Sequence, residues 1–297
     1  MNGETETVQN FIGKARKAME YVLDPGSFVE NVIDGPFPEA DLAPGAVVGT
    51  AAVAGRTVTV IASDTACNPR FPVVRAGIIG LEEGYKMAAA VYRSLAADRE
   101  KPRGEKRPLV LVVDTPGNAP GKIEEIFGMN CSTGAYQLAL AQARQEGHPV
   151  LAIIVGRAIS GAFLCHGLQA DRILSLSGKF GTTIHVMPLS GIAGITGIDI
   201  ERLRELSRSN PVFASGAEFF HRLGGVEELI EDPGELRAAA DRHIGEIRML
   251  NGAGRSGELG PMGRGELGAE RGGRVLRKKV LEIMEEQVAA LEDGLLA

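Results

Sequence analysis

Two stretches of the chain are apolar at every position. Pro108–Val113 and Pro149–Val155 lack the in-out alternation of a half-solvated strand, which predicts strands buried on both faces. Each runs into a glycine-rich turn and then into helical spacing, at about Gly134–Gln145 after the first and from near Gly161 after the second. Arg172–Ser177 reads as a third, short strand. Upstream, Gly45–Ala54 and Arg56–Ala62 are strand candidates joined at Gly55, flanked by helices predicted at Phe11–Leu23 and Arg75–Arg93. Ala96–Lys106 is charged and turn-rich. Strands alternating with helices at this spacing predict an α/β fold with largely parallel pairing.

Beyond the third strand the pattern turns helical, at Gly197–Ser209, Gly216–Leu223, Val226–Leu229 and Pro233–Leu250. Asn251–Gly273 carries nine glycines, which predicts a mobile or irregular loop. Val275–Leu291 reads as a closing amphipathic helix. The expected organisation is one domain over residues 1–250, a Gly-rich loop over 251–274 and a C-terminal helix over 275–297. No repeat of solenoid period is present.

Composition removes several function classes. The 297 residues carry a net charge of −6, so no basic excess exists to neutralise nucleic-acid phosphates. No apolar run reaches the roughly 20 residues a membrane span needs, and Met1–Asn10 is polar and acidic rather than leader-like. Cys67, Cys131 and Cys165 are odd in number and lack metal-type spacing, so no metal is expected and a reduced, cytoplasmic protein is. No Gly-x-Gly-x-x-Gly run follows a predicted strand, as a dinucleotide fingerprint would, and there is no Gly-Lys-Ser/Thr phosphate loop.

What remains is a pair of turns. One runs Asp114-Thr115-Pro116-Gly117-Asn118-Ala119-Pro120-Gly121 and on to Gly128-Met129; the other runs Gly156-Arg157-Ala158-Ile159-Ser160-Gly161-Ala162-Phe163. Glycine allows close backbone approach, and a helix that starts after such a turn aims unpaired N–H groups at whatever sits there. One amide from each turn can hold a carbonyl oxygen that becomes negative. An oxyanion pocket with neither nucleophile nor metal suits chemistry through a thioester enolate, as in decarboxylation of a malonyl thioester.

The turns also carry a resemblance. Pro149–Leu176, with Ser-Gly-Ala-Phe and the return strand Gln-Ala-Asp-Arg-Ile-Leu-Ser-Leu, looks like the second oxyanion segment of the ClpP/crotonase superfamily. Val113-Asp114-Thr115-Pro116-Gly117, then Pro120-Gly121, Glu124-Glu125 and Gly128, resembles the biotin-dependent carboxyltransferases, as does Leu23-Asp24-Pro25-Gly26-Ser27-Phe28-Val29-Glu30. His185-Val186-Met187 and Pro211-Val212-Phe213-Ala214 are similar to malonate decarboxylase gamma subunits. The likeness covers roughly residues 11 to 230.

The resemblance implies a crotonase-like spiral of β-β-α units with C-terminal helices. It implies a related beta subunit sharing the active site, an acyl carrier protein and an acyl transferase alpha subunit. The substrate would be malonyl on the carrier's phosphopantetheine-type arm, the products acetyl thioester and carbon dioxide, with no cofactor bound by this chain. By position, Gly128, Met129, Gly161 and Ala162 would supply the oxyanion amides. Where carboxyltransferases have Gly-Gly-Ala-Tyr, this chain has Ser160-Gly161-Ala162-Phe163, and the lost hydroxyl points away from biotin.

Individual side chains leave alternatives open. Arg157 attracts the malonyl carboxylate or is a surface arginine. His185 handles a proton or is structural. His166 reads as structural, Glu124 and Glu125 as helix-capping acids, and Cys131 and Cys165 as small core residues. Ser160 lies at the substrate as a turn residue. A ClpP-type serine peptidase shares the fold, but its nucleophile aligns with Ile159, and a shift of one residue at a helix start swings a side chain by about 100°. A scaffold that only completes a partner's pocket is a further reading, as is a biotin-dependent carboxyltransferase subunit.

Overall fold

The computed structural model describes residues 10–119, 121–208 and 216–296, with side chains to 291. Helix α1 (Ala15–Val22) precedes a short strand β1 (Val29–Glu30) and the hairpin β2 (Ala46–Val53) and β3 (Arg56–Ser63). Ala54 and Gly55, with φ of 48° and 77°, form the two-residue turn. Helix α2 (Leu81–Ala97) starts later than its spacing predicts, because Ala76 and Gly77 have positive φ and break the helix ahead of Gly80.

The chain then builds β4 (Leu109–Thr115), a single turn α3 (Lys122–Ile126), α4 (Met129–Glu146), β5 (Val150–Ile159), α5 (Ser160–Cys165), β6 (Arg172–Leu176) and β7 (Thr183–His185). Helices α6 (Leu189–Thr196), α7 (Ile200–Ser207) and α8 (Ala217–Arg222) lead to strand β8 (Glu228–Ile230), and α9 (Leu236–Gly252), α10 (Gly260–Glu270) and α11 (Arg277–Leu296) close the fold.

The strands form one sheet in the order β1-β2-β3-β4-β5-β6-β8, antiparallel through β3 and parallel from there on, with β7 pairing the far end of β5. Alternation within β4 separates two cores. Leu109, Leu111 and Val113 face α2 and α4, while Val110 and Val112 face α1 and α9. Both central strands are therefore buried on both faces, as their unbroken apolar runs predict.

Two expectations need correction. Val226–Leu229 does not form a helix; Glu228–Ile230 adds to β6 as the sheet's last strand. The Gly-rich segment is not an irregular loop either, since α10 occupies Gly260–Glu270. The Pro211–Ala214 motif and Pro120 lie outside the described residues.

A local irregularity in the sheet positions everything that follows. Val113 pairs with Ile154, but Thr115 pairs with Ala158, so an advance of two residues on β4 matches four on β5. The extra residues of β5 form a bulge. Its first half pairs β6, whereas Arg157–Ile159 pair β7. Asp114, on β4 opposite the bulge, is 2 % exposed. It accepts from the Arg157 backbone N–H at 2.8 Å, from Arg157 Nε at 2.9 Å and Nη2 at 3.1 Å, and from the Gly13 N–H at 2.6 Å. A Cβ on Gly156 would stand 2.5 Å from Asp114 Oδ1, so glycine is required there.

Removing one member of a buried ion pair leaves the other charge uncompensated, at a cost of about 3–5 kcal/mol. Asp114→Ala is therefore expected to destabilise the chain by that order, and Arg157→Met by a similar amount. Denaturant titration of each variant checks this; a midpoint within error of the parent would show that the pair does not hold the bulge.

Candidate active site

The first turn leaves β4 with its backbone pinned. Thr115 Oγ1 accepts from the Gly117 N–H at 3.3 Å, the Ile79 N–H donates to Gly117 at 3.1 Å, and the Ala119 N–H donates to Ile79 at 3.0 Å. After α3 the chain turns at Gly128, whose φ of 90° only glycine adopts freely, and α4 begins at Met129. The Gly128 N–H donates to Glu125 at 3.2 Å. That makes Met129, rather than Gly128, the first amide of α4 without an acceptor among the described residues. Glu124 is buried and folds back over Gly121.

The second turn has no loop at all: β5 ends at Ile159 and α5 begins at Ser160. The reversal is made by Ser160, with φ of 57°. That is a left-handed conformation for a residue with a Cβ, of the kind that stores about 1–3 kcal/mol of strain at functional turns. Gly161 itself has no positive φ, so what glycine supplies there is space. A Cβ there would sit 3.0 Å from Asn118 Oδ1, so the two turns touch through the Asn118 side chain. The amides of Gly161 and Ala162 lie in the first turn of α5, where a helix offers them no internal acceptor.

One internal contact fixes α4 and α5 relative to each other. His166 is fully buried, with Nδ1 3.0 Å from Tyr136 Oη on α4 and Nε2 3.1 Å from the Val112 carbonyl on β4. Because a carbonyl only accepts, Nε2 carries the proton and Nδ1 accepts from the tyrosine. Burial pushes the His166 pKa down to about 4. Its structural reading thus has a definite mechanical content.

The remaining candidates separate clearly. Arg157 neither lies free on the surface nor faces the turn as a carboxylate clamp: its guanidinium grips Asp114, and Nη2 also donates to the Ala76 carbonyl at 2.8 Å. His185 pairs across from Ile159, half-buried, with Nδ1 unpartnered and its pKa lowered by burial. With its Nδ1 unpartnered among the described residues, His185 does not hold Ser160 through that atom as a peptidase's base would. Cys165 is buried, as expected, but Cys131 is exposed at the start of α4. Phe163 packs inward, its ring 6.2 Å from that of Phe220. A hydroxyl at this position would enter the core rather than the site, which removes the reason for reading the change as a loss of biotin handling. Two features were not singled out from sequence: Asp114 as the hub of the bulge, and Asn118 between the turns. A signal for the first existed in an acid directly after five buried apolar residues.

The family model described as malonate decarboxylase gamma subunit matches residues 74–288. The chain belongs to that family. It is 61 % identical over 284 residues to the malonyl-S-ACP:biotin-protein carboxyltransferase of Malonomonas rubra, covering 95 % of this chain and 97 % of the relative. A Pseudomonas malonate decarboxylase hetero-tetramer in complex with coenzyme A superposes with a TM-score of 0.66 at 31 % identity, over 90 % of this chain and 94 % of that one. Transcarboxylase 12S, at 22 % identity and a TM-score of 0.60, covers 79 % of this chain and 40 % of its own, and shows the shared crotonase-type fold.

Among the described residues no three His, Cys, Asp or Glu side chains are grouped to hold a metal, and no helix is long and apolar enough to cross a membrane. A cavity of about 480 Å³ lies against α1, lined by Arg16, Met19, Leu23 and Phe28, and includes no residue of either turn.

Two outcomes are expected. Unfolded histidine protonates near pH 6.5 and folded His166 only near 4, so between these values the unfolded chain binds the extra proton. Stability contributed by neutral His166 is complete above about pH 6.5 and falls as pH drops toward 4, by on the order of 3 kcal/mol. Denaturation of parent and His166→Gln at pH 7 and pH 5 tests this, the variant losing less on acidification; equal losses would refute it. Separately, Gly161→Val should lower kcat on the order of a hundredfold by displacing an oxyanion amide, with assembly and Tm retained. Gly194→Ala, in α6 with open space around its Cβ, is the control and should cost little. Near-parent kcat for Gly161→Val in an intact complex would favour the scaffold reading.

Proposed function

We propose that this chain provides one wall of a carboxyltransferase-type site in which a malonyl thioester, carried on the phosphopantetheine-type arm of an acyl carrier protein, loses its carboxyl group. The observation that carries the reading is the pair of helix starts, Met129 and Gly161–Ala162, on a chain of the malonate decarboxylase gamma subunit family. The bond between the malonyl methylene carbon and its carboxylate breaks, carbon dioxide departs, and the electron pair moves onto the thioester oxygen as an enolate. Backbone amides aimed at that oxygen are worth more there than in the uncharged ground state, which is the condition for catalysis. Protonation of the carbon then gives the acetyl thioester.

The wall is half a site. Ile126 and Phe127, 71 % and 69 % exposed, flank Gly128 and Met129, and Val186 is 65 % exposed beyond β7. Apolar surface of this kind beside polar donors marks an interface, which supports a related beta subunit closing the pocket. An acyl transferase alpha subunit would load the carrier.

A second reading concerns where the carboxyl goes. The 61 % identity to a protein named for biotin-protein carboxyl transfer favours handing it to biotin on another subunit instead of releasing it. Assay of the chain alone and with its co-expressed partner tests the first reading: turnover of malonyl thioester is expected only from the pair, and full activity of the isolated chain would overturn the shared site. Avidin separates the two destinations, since unchanged turnover means direct release and complete inhibition means biotin.

A further inference from the structure

We propose that Asn118 contacts the free carboxylate of the malonyl group and orients it for departure, making it a specificity-determining residue of this site. The assignment rests on the enolate reading above and goes beyond the backbone donors.

Asn118 stands in the first turn, its backbone held by the parallel bridge to Ile79. Its side chain reaches the second turn, with Oδ1 at 3.0 Å and Nδ2 at 3.6 Å from where a Cβ on Gly161 would be. Oδ1 is buried and has no hydrogen-bond partner among the described residues. Buried polar side-chain atoms are overwhelmingly bonded, so an orphan oxygen between the two turns calls for a partner. By turning about χ2 the carboxamide presents either its oxygen or its two N–H donors to the same space. A ligand whose thioester oxygen lies on the Gly161 and Ala162 amides brings its next carbons, and the carboxylate they carry, against this group.

The chemistry favours an amide over a cation. Loss of carbon dioxide discharges the carboxylate, so an ion pair made in the ground state would have to be given up on the way to the transition state. The nearest arginine of the second turn, Arg157, is held by Asp114. A neutral donor fixes the carboxylate's plane while adding less ground-state stabilisation than a guanidinium.

The test uses the co-expressed complex, with malonyl and acetyl thioesters of its own carrier as substrate and product inhibitor. Asn118→Asp places a negative charge beside the carboxylate, and Asn118→Ala removes the donor. For both, kcat/KM for the malonyl thioester is expected to fall between about tenfold and about a hundredfold, the range for a hydrogen bond to a charged group. The inhibition constant of the acetyl thioester, which has no carboxylate, should move less than about threefold, and Tm should hold. Parallel weakening of both ligands would overturn the assignment in favour of a structural role, as would near-parent kcat/KM in both variants. A parent complex with no turnover of malonyl thioester would sink the enolate reading itself, and this assignment with it.

Discussion

The geometry of this site depends on one buried ion pair, Asp114 with Arg157. A parallel sheet by itself would carry β4 and β5 side by side to their ends. The four protein hydrogen bonds that Asp114 accepts instead stabilise a β5 that has gained two residues on its neighbour. Ser63 Oγ donates to the Asp114 carbonyl at 2.8 Å, and Gly77 leaves room for it where a side chain would collide, so β3 and the approach to α2 converge on the same point. Such a pair adds little net stability over an apolar packing of equal volume. Its contribution is directional, because it decides where β5 leaves β6 for β7, and so where Ser160 turns the chain into α5.

Precision at the site then follows from a second, neutral contact. The Tyr136–His166–Val112 chain of hydrogen bonds joins α4, α5 and β4 through groups with no exposure to water. Two donor turns separated by about 30 residues of chain act on one oxygen only if the helices carrying them do not slide, and fixed supporting contacts are what hold such constellations. The low pKa of His166 belongs to this arrangement, since a protonated ring would lose its acceptor role toward Tyr136.

How much of this was legible in the sequence depended on how local its physics is. β4 and β5 were readable because burial on both faces forces an unbroken apolar run. β7 and β8, three residues each, have no run long enough to show a period, and only their neighbours make them strands. The glycines of α10 misled for a different reason. Cβ atoms on Gly263 and Gly268 would collide with the backbone of Glu258 and Leu223, so here glycine permits close helix packing instead of loop freedom. Arg264 completes that seam by donating to the carbonyls of Leu168 and Ala170. The two candidate turns were picked out by their glycines and family likeness. Sequence does not show which of two adjacent amides is already taken by Glu125, nor that the strained residue is Ser160 and not Gly161.

The exposed apolar residues beside Met129 bear on why such a site is built from two chains. Amides aimed at a developing oxyanion act most strongly where water does not compete for the same charge. In the isolated chain, Ile123, Ile126 and Phe127 border the first donor turn, while Val186 and Met187 follow the strand beside the second, and all five are open to solvent. Covering them with another subunit would both bury apolar surface and dry the surroundings of the proposed enolate, so one interface would drive assembly and strengthen the electrostatics. In the proposed reading a carrier arm would enter along the seam between subunits, and the thioester would meet its donors only after the seam had formed. A requirement for the pair would thus be a physical consequence of putting backbone donors on an open wall, independent of where the released carboxyl group finally goes.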